Sequence, residues 1–354
     1  MLVKGKFHHP KSNSHRLYLS REMGGRGLIG ATDCHRAECT GLADYVSTAR
    51  HTDRLVNIVY AVEKVKKHGL ISFLSEAKRG TPSIIDREHE RKLCVMKLHG
   101  NYFEQQNKIP GVDLSLSRRW INCSYFRYET ESLLCAGQEQ ALATNYIRNK
   151  VWGTADTHLC RLCKVQNETV QHIVSGCKML CANQYTFRHN QVAKYIHWTV
   201  LRDLDIKVSD SWLKHQPAES VSKDGVTVMW DMFIITDKKV RHNRPDIVIH
   251  DRNKRNCILV DVAIPNCYNV VSKEAEKITK YRDLEVEVQK CWNLKTIRTI
   301  PVVIGALGTV CKGISEYTKT ISPQINFDVM QRTALLGTAH ILRNFLTPYK
   351  NLPS

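Results

Sequence analysis

Two short apolar runs near residue 250 predict a pair of adjacent β-strands. The first run is Ile247-Val248-Ile249-His250 and the second is residues 257–265, and the polar stretch 251–256 between them is typical of a turn. Pro245 precedes the first run and suits the first position of a strand, where a missing N–H is tolerated. The pattern therefore predicts neighbouring strands joined by a tight connection.

The segment after the second run has the periodicity of a helix. Its apolar residues recur every three or four positions and predict one buried stripe that packs on the sheet: Ala275, Ile278, Tyr281, Leu284, Val288 and Cys291. Lys277 and Lys280 lie three residues apart, so both project from one face beside that stripe.

The rest of the C-terminal region continues the alternation of strand and helix patterns. A β-type run covers residues 296–304, and a final amphipathic helix is predicted over about residues 323–346, with Leu335, Ala339 and Leu342 on its apolar stripe. The order strand–strand–helix–strand–helix favours a central mixed sheet.

The N-terminal part has helical periodicity instead. Residues about 32–108 and 117–150 are predicted to be helical, and the first range is expected to be a packed helical region. The clearest example of its period is the set Leu55, Ile58, Val59, Val62 and Val65. A further helix is predicted over residues 185–201, where His189 and His197 are expected to be packing residues.

Composition narrows the class of partner. The 354 residues contain 52 Lys and Arg against 34 Asp and Glu, which gives a net charge of +18. That charge favours a polyanionic partner, nucleic acid before a membrane surface, and no small-molecule substrate is predicted. The 13 cysteines, the lack of an apolar leader and the lack of a membrane-length run predict thiols or metal ligands in a reducing compartment, nuclear or cytoplasmic.

Each predicted strand also carries an aspartate. Asp246 opens the first strand, and Asp261 lies inside the second, where Leu259 and Ala263 would share its face. A buried, unpaired carboxylate costs several kcal/mol, so Asp261 requires a cation. Two aspartates on neighbouring strands can share one divalent metal, and a nearby lysine completes a set suited to phosphodiester cleavage.

These residues resemble the PD-(D/E)XK restriction-like endonuclease at the C-terminus of site-specific non-LTR retrotransposon polyproteins. In most of the wider superfamily the lysine lies two residues after the second acid, where this chain has Ala263. The retrotransposon branch moves the lysine to the following helix and accepts Asp as the second acid. The resemblance implies that Asp246 and Asp261 hold Mg²⁺ and that Lys277 is the catalytic lysine, with Lys280 as the second candidate.

A cysteine–histidine cluster lies ahead of this region. Cys160, Cys163, His172 and Cys177 have the spacing C-x2-C-x8-H-x4-C, which predicts a tetrahedral zinc site. Four protein ligands leave no open position, so the zinc is expected to be structural and to support nucleic-acid binding. The spacing resembles the CCHC zinc knuckle of the same retrotransposon family. Residues that could substitute as ligands are His158, Cys181 and His189.

The resemblance extends over about residues 10–350 and implies a domain order. The expected regions are a helical post-polymerase region over 1–110, a helical linker over 111–157, a zinc knuckle with its following helix over 158–204, and the endonuclease over 205–354. The fold class is accordingly α+β or α/β. The run Gly24-Gly25-Arg26-Gly27-Leu28 is similar to a stretch that follows the polymerase core in such polyproteins.

Two functions follow from these observations. The first is a DNA-nicking endonuclease whose product supplies the 3′-hydroxyl primer for target-primed reverse transcription. The sequence has no adjacent aspartate pair of the kind that a polymerase palm requires, so a reverse transcriptase is expected to be supplied in trans. DNA and RNA are the expected partners of this chain. The alternative is a catalytically inactive, zinc-containing remnant that binds nucleic acid.

Overall fold

The computed structural model describes residues 7–77, 82–123 and 125–346. The chain divides into two compact units. One unit is Ser12–Asn101, and the other contains residues 7–11 together with the described chain from Tyr102 onward. The segments predicted as linker, zinc knuckle and endonuclease all belong to this second, larger unit.

The smaller unit is helical, as predicted. Its helices are α1 (His15–Tyr18), α2 (Ala31–Ala49), α3 (Arg54–Val65), α4 (Ser72–Ala77) and α5 (Pro82–Cys94). Asp53 caps α3 by accepting hydrogen bonds from the backbone N–H groups of Leu55 and Val56. The expected packing does not extend to the apolar stripe of this helix, because Leu55, Ile58, Val59, Val62 and Val65 are all exposed in the described chain.

The larger unit contains the remaining helices and the sheet. Its helices are α6 (Asn101–Lys108, which begins at the boundary), α7 (Leu114–Cys123), α8 (Tyr128–Gln138), α9 (Asn145–Lys150), α10 (Lys178–Leu180), α11 (Thr186–Asp203), α12 (Val270–Lys280), α13 (Arg282–Cys291), α14 (Ile314–Ile321) and α15 (Phe327–Leu346). Two π-helical turns, His172–Gly176 and Cys181–Tyr185, and a 3₁₀ turn, Cys267–Asn269, lie between them.

A five-stranded mixed sheet forms the centre of the larger unit. Its strands are β1 (Ser220–Lys223), β2 (Val226–Trp230), β3 (Ile247–Asp251), β4 (Asn256–Ala263) and β5 (Thr296–Val303). They lie side by side in chain order, antiparallel from β1 to β4, and β4 pairs parallel with β5. The predicted β3–β4 pair and the mixed sheet are confirmed, whereas the β1–β2 hairpin is an addition to the prediction.

Helices cover both faces of the sheet because the strands alternate apolar residues on two sides. Val260 and Val262 of β4 pack in a cluster with residues of α11 and α15, including Ile196 and Met330. On the opposite face, the β4 residue Leu259 packs in a second cluster with residues of α13. Asp261 lies between Val260 and Val262 and projects toward the second face.

The predicted helix after β4 is two helices rather than one. The backbone leaves helical geometry at Tyr281, where φ is −104° and ψ is 7°. Tyr281, Leu284 and Val288 are buried as predicted, but Ala275 and Cys291 are exposed, so the apolar stripe is shorter than expected. The break ends α12 next to the sheet, directly after Lys280.

None of the helices in the described part of the chain combines sufficient length with sufficient apolar character to cross a bilayer.

Candidate metal-binding and catalytic sites

Asp246 is fixed against β4 at the end of the β3–β4 ladder. Ile247 pairs with Val260, so continuation of the antiparallel register places Asp246 beside Asp261. The Asp246 Oδ2 atom accepts a hydrogen bond from the backbone N–H of Val262 at 2.6 Å. The two predicted acids therefore occupy adjacent positions on neighbouring strands.

His189 of α11 contacts the same carboxylate. Its Nε2 atom lies 3.1 Å from Oδ2 of Asp246 and 3.1 Å from the carbonyl oxygen of Val262. Burial alone would lower the pKa of His189, but its hydrogen bond to Asp246 and the negative charge of that residue raise the pKa to about 9. Burial acts to raise the pKa of Asp246, and the contact with His189 reverses this and holds it below the ordinary value.

His189 is thus a site residue that sequence reasoning missed. The helical pattern of residues 185–201 favoured a packing role, and no motif spacing connects position 189 to Asp246, which lies 57 residues after it. The packing role assigned to His197 holds, because that side chain is fully buried and stacks on His215.

Asp261 is almost completely buried and is surrounded by donors from the helical side. Its side chain is 2% exposed. Lys277 forms an ion pair with Oδ2, and Nζ of Lys280 lies 3.4 Å from Oδ1. The hydroxyl of Tyr281 lies 2.7 Å from Oδ1. The structure therefore brings both candidate lysines to the buried acid, through the last turn of α12.

Tyr281 is a second site residue that sequence reasoning treated only as part of an apolar stripe. Its hydroxyl accepts a hydrogen bond from Lys280 at 2.8 Å and donates to Asp261 or to the carbonyl of Arg244, which lies 3.0 Å away. Burial and the charge of Asp261 raise the pKa of Tyr281, so the phenol keeps its proton and remains a donor.

The donor chemistry of Asp246 and Asp261 fits a hard divalent cation such as Mg²⁺, which prefers carboxylate oxygens. Within the described chain, the cysteine–histidine cluster is the only place where three or more Cys, His, Asp or Glu side chains lie close enough to share one metal ion. A cation held by the two aspartates would accordingly take its other ligands from water, backbone carbonyls or phosphate oxygens, as Mg²⁺ commonly does. In the structure the negative charges of the two acids are balanced by His189, Lys277 and Lys280.

A further acid near the site, Asp231, has a different partner. It follows β2, and its Oδ2 atom lies 2.9 Å from a guanidinium nitrogen of Arg244. Its backbone N–H donates to the carbonyl oxygen of Asp246 at 2.8 Å. Asp231 therefore closes the base of the loop that carries Asp246, and its carboxylate is about half exposed.

The four predicted zinc ligands come together in the structure. Cys160, Cys163, His172 and Cys177 each offer a ligand atom, and these atoms all lie within 4.8 Å of one another. Three of the four residues are buried, and Cys163 is half-buried. The substitutes His158, Cys181 and His189 are not members of the group. Three thiols and an imidazole suit a metal ion such as zinc, and four ligands give a closed site.

Neighbouring polar groups orient the ligands of this cluster. The His172 Nδ1 atom lies 2.9 Å from the side-chain oxygen of Gln166, which leaves Nε2 directed toward Cys163. Burial raises the pKa of Cys160 to about 11, whereas backbone N–H groups of Gln166 and Val165 lower the pKa of Cys163. Bound metal would favour the thiolate form at both cysteines.

A polar groove connects the cluster to the carboxylate site within the larger unit. A cavity of about 930 Å³ lies between the cluster and the end of β4, and its lining includes Gln166, Gln171, Asn266 and Lys273. It shares Ser175 and Ile264 with a second cavity of about 410 Å³, which is also lined by His189 and Asp246. Half of the residues that line the larger cavity carry uncharged amides or hydroxyls, which can donate to phosphates and to base edges.

Comparison with known proteins identifies no family for this chain. No family model matches it, and no curated protein matches its sequence. Functional assignment therefore depends on the geometry of the two sites.

Proposed function

We propose that this chain is a metal-dependent endonuclease that nicks one strand of duplex DNA by phosphodiester hydrolysis. The observation that carries the proposal is the environment of Asp261. This buried acid contacts Lys277 and Lys280 of the following helix, and it lies beside Asp246 on the neighbouring strand. Structural ion pairs also bury acids, but the second carboxylate, Asp246, lines a cavity, and this favours a reaction centre.

Each side chain then has a defined role. Asp246 and Asp261 would hold Mg²⁺, which supplies Lewis-acid stabilisation and a lowered pKa for water. Lys277, and secondarily Lys280, lies where its ammonium group can neutralise charge on the attacked phosphate or orient the water. Water adds to phosphorus, the bond to the 3′-oxygen breaks, and that oxygen takes up a proton to become a 3′-hydroxyl.

His189 and Tyr281 support the acids without taking part in bond breaking. His189 restrains Asp246 from α11, and Tyr281 restrains Asp261 from the α12–α13 junction. Each aspartate is therefore held from a different layer of the fold, which fixes the separation of the two carboxylates.

The cysteine–histidine cluster is assigned zinc and a role in nucleic-acid placement. Its closed set of four ligands suits structural zinc, and its groove leads to the carboxylate site. The net charge of +18 supports binding to a polyanion.

The biological setting is proposed from sequence resemblance. The chain would be the C-terminal part of a non-LTR retrotransposon polyprotein with a PD-(D/E)XK nuclease. The nick would supply the 3′-hydroxyl primer for target-primed reverse transcription by a polymerase acting in trans, with DNA and RNA as partners.

A plasmid assay tests the enzymatic proposal. Supercoiled DNA is incubated with the protein in Mg²⁺, and open-circle product is measured for wild type, Asp261→Asn and a matched control, Asp224→Asn. Asp224 lies in the turn between β1 and β2, so its replacement removes one surface charge away from the site. Nicking by wild type and by Asp224→Asn, but not by Asp261→Asn, supports the proposal.

The alternative function predicts a different result. An inactive zinc-containing remnant binds DNA in a salt-dependent manner. In Mg²⁺ it yields no open-circle product, whether the protein is wild type or a variant. Folded, zinc-loaded protein that retains plasmid but never nicks it contradicts the endonuclease proposal.

A further inference from the structure

The loop between β2 and β3 carries an unusual combination of exposed apolar and basic side chains. This β2–β3 loop is residues 231–246 and ends at Asp246. Phe233 is 63% exposed and Ile235 is 88% exposed, although the residue between them, Ile234, is buried. Two large apolar side chains displayed at such exposure on one loop favour a contact surface over a solvent-facing turn.

The loop holds these two side chains in a defined position. Ile234 packs in the core cluster on the α13 side of the sheet, and its backbone N–H donates to the carbonyl of Asn243 at 2.8 Å. The side-chain amide of Asn243 returns a hydrogen bond to the carbonyl of Ile234 at 3.0 Å. Anchoring of Ile234 directs its neighbours Phe233 and Ile235 away from the core.

The base of the loop connects the apolar tip to the catalytic region. The Arg244 guanidinium lies 4.7 Å from the centre of the Phe233 ring and also bonds to Asp231. Asp231 in turn donates its backbone N–H to the carbonyl of Asp246. Phe233 is thus positioned, through two contacts, relative to a carboxylate proposed to hold the metal.

The basic side chains on the outer part of the loop favour a polyanionic partner. Lys238, Lys239 and Arg241 are exposed on its outer part, and His242 is exposed beside them. Basic side chains around an apolar tip match the arrangement by which proteins insert Phe or Ile between DNA base steps while contacting flanking phosphates. The net charge of the whole chain, +18, favours DNA over a protein surface as the partner.

We propose that Phe233 and Ile235 form a wedge that enters a base step of duplex DNA beside the phosphate to be cut, and that the wedge locally unstacks and unwinds the duplex. This inference depends on the proposed endonuclease function for its substrate. The wedge would give access to a phosphodiester that is poorly exposed in a regular duplex, and Lys238, Lys239 and Arg241 would contact the phosphates on either side.

Unwinding of closed circular DNA tests the wedge without requiring cleavage. The full chain is bound to relaxed, closed plasmid in buffer without Mg²⁺. A metal-independent topoisomerase then relaxes the DNA of the complex, and the linking number is measured after the protein is removed. The proteins compared are wild type, Phe233→Ser/Ile235→Ser, and a control, Leu213→Ser/Leu336→Ser. The control replaces two apolar residues that are exposed elsewhere in the larger unit.

With wild-type protein, the linking number is expected to decrease in proportion to the amount of protein bound. The control should give the same decrease. At equal bound protein, the decrease should be several-fold smaller for the wedge variant. Equal unwinding by the wedge variant and wild type overturns the wedge, even if Mg²⁺-dependent nicking stands. Unwinding without nicking in Mg²⁺ supports the wedge and rejects the endonuclease. Absence of DNA binding by folded wild type overturns both proposals.

Discussion

The Nε2 atom of His189 lies 3.1 Å from Oδ2 of Asp246, so α11 restrains the carboxylate that precedes β3. The two residues are 57 positions apart in sequence. Because α11 follows the cysteine–histidine cluster, this contact gives a direct structural connection between the metal-binding segment and the sheet. The contact also makes the stability of the larger unit dependent on pH.

The free energy of unfolding of the larger unit should decrease at alkaline pH, when His189 deprotonates. Its pKa rises from 6.5 to about 9 on folding, so the stabilisation is complete below pH 6.5 and disappears as pH rises through about 9. The lowered pKa of Asp246 sets the acid limit, since its contribution is lost as pH falls below the ordinary value of 3.8. Denaturant unfolding of wild type and His189→Gln in Mg²⁺-free buffer measures this dependence.

The difference in free energy of unfolding between wild type and His189→Gln should be largest near pH 6 and should shrink toward pH 10. His242→Gln is the control, because His242 is exposed in the β2–β3 loop. A difference that stays constant from pH 6 to pH 10 would show that His189 acts only through packing.

Lys277→Ala should reduce nicking more than Lys280→Ala. Lys277 pairs directly with Oδ2 of Asp261, whereas Nζ of Lys280 is 3.4 Å from Oδ1 and also donates to Tyr281. Removal of a group that stabilises transition-state charge costs roughly 100- to 1,000-fold in rate, and this loss is expected for Lys277→Ala. Single-turnover nicking rates, with protein in excess over plasmid, measure it.

Lys254→Ala provides the matched control. Lys254 lies in the turn between β3 and β4, at the other end of these strands from Asp246 and Asp261, pairs with Asp251 at the surface and should tolerate replacement with little change in rate. A larger loss for Lys280→Ala than for Lys277→Ala would transfer the catalytic role to Lys280.

Cys163→Ser should remove the metal from the cysteine–histidine cluster, and Cys181→Ser should not. Cys163 contributes to the group of four ligand atoms, while the nearby Cys181 is exposed and outside that group. Loss of a structural metal is among the largest effects of a single substitution, so a decrease in Tm of about 5 °C or more is expected for Cys163→Ser. Elemental analysis and thermal unfolding give the two readouts.

One equivalent of zinc in wild type and Cys181→Ser, with far less in Cys163→Ser, would support the assignment. Zinc retained by Cys163→Ser but lost by Cys181→Ser would mean that the wrong thiol has been assigned to the site.

Local patterns were sufficient to single out Asp246 and Asp261, which the structure places at adjacent positions on neighbouring strands, and the four residues of the cysteine–histidine cluster, whose ligand atoms it brings together. An acid in an apolar strand and a C-x2-C spacing can each be recognised within a short segment of sequence. The sequence also placed Lys277 and Lys280 on one helix face beside Asp261, because a helix that packs on the sheet brings its last turn close to β4.

The contributions of His189 and Tyr281 could not be predicted in this way. Both depend on how α11 and the α12–α13 junction pack on opposite faces of the sheet, and this packing is set by side-chain fit across layers. The exposed stripe of α3 is the reverse case. Its periodicity correctly predicted a helix but gave no information on whether any element covers Leu55 or Val65.

The most direct test of the proposed endonuclease is the chemistry of the DNA ends that it produces. Plasmid nicked in Mg²⁺ is offered to a template-dependent DNA polymerase with labelled nucleotides, without phosphatase treatment. Hydrolysis at the Asp246–Asp261 site predicts immediate label incorporation from 3′-hydroxyl ends, and no nicks from Asp246→Asn. Nicks that require phosphatase before extension, or that persist in Asp246→Asn, would contradict it.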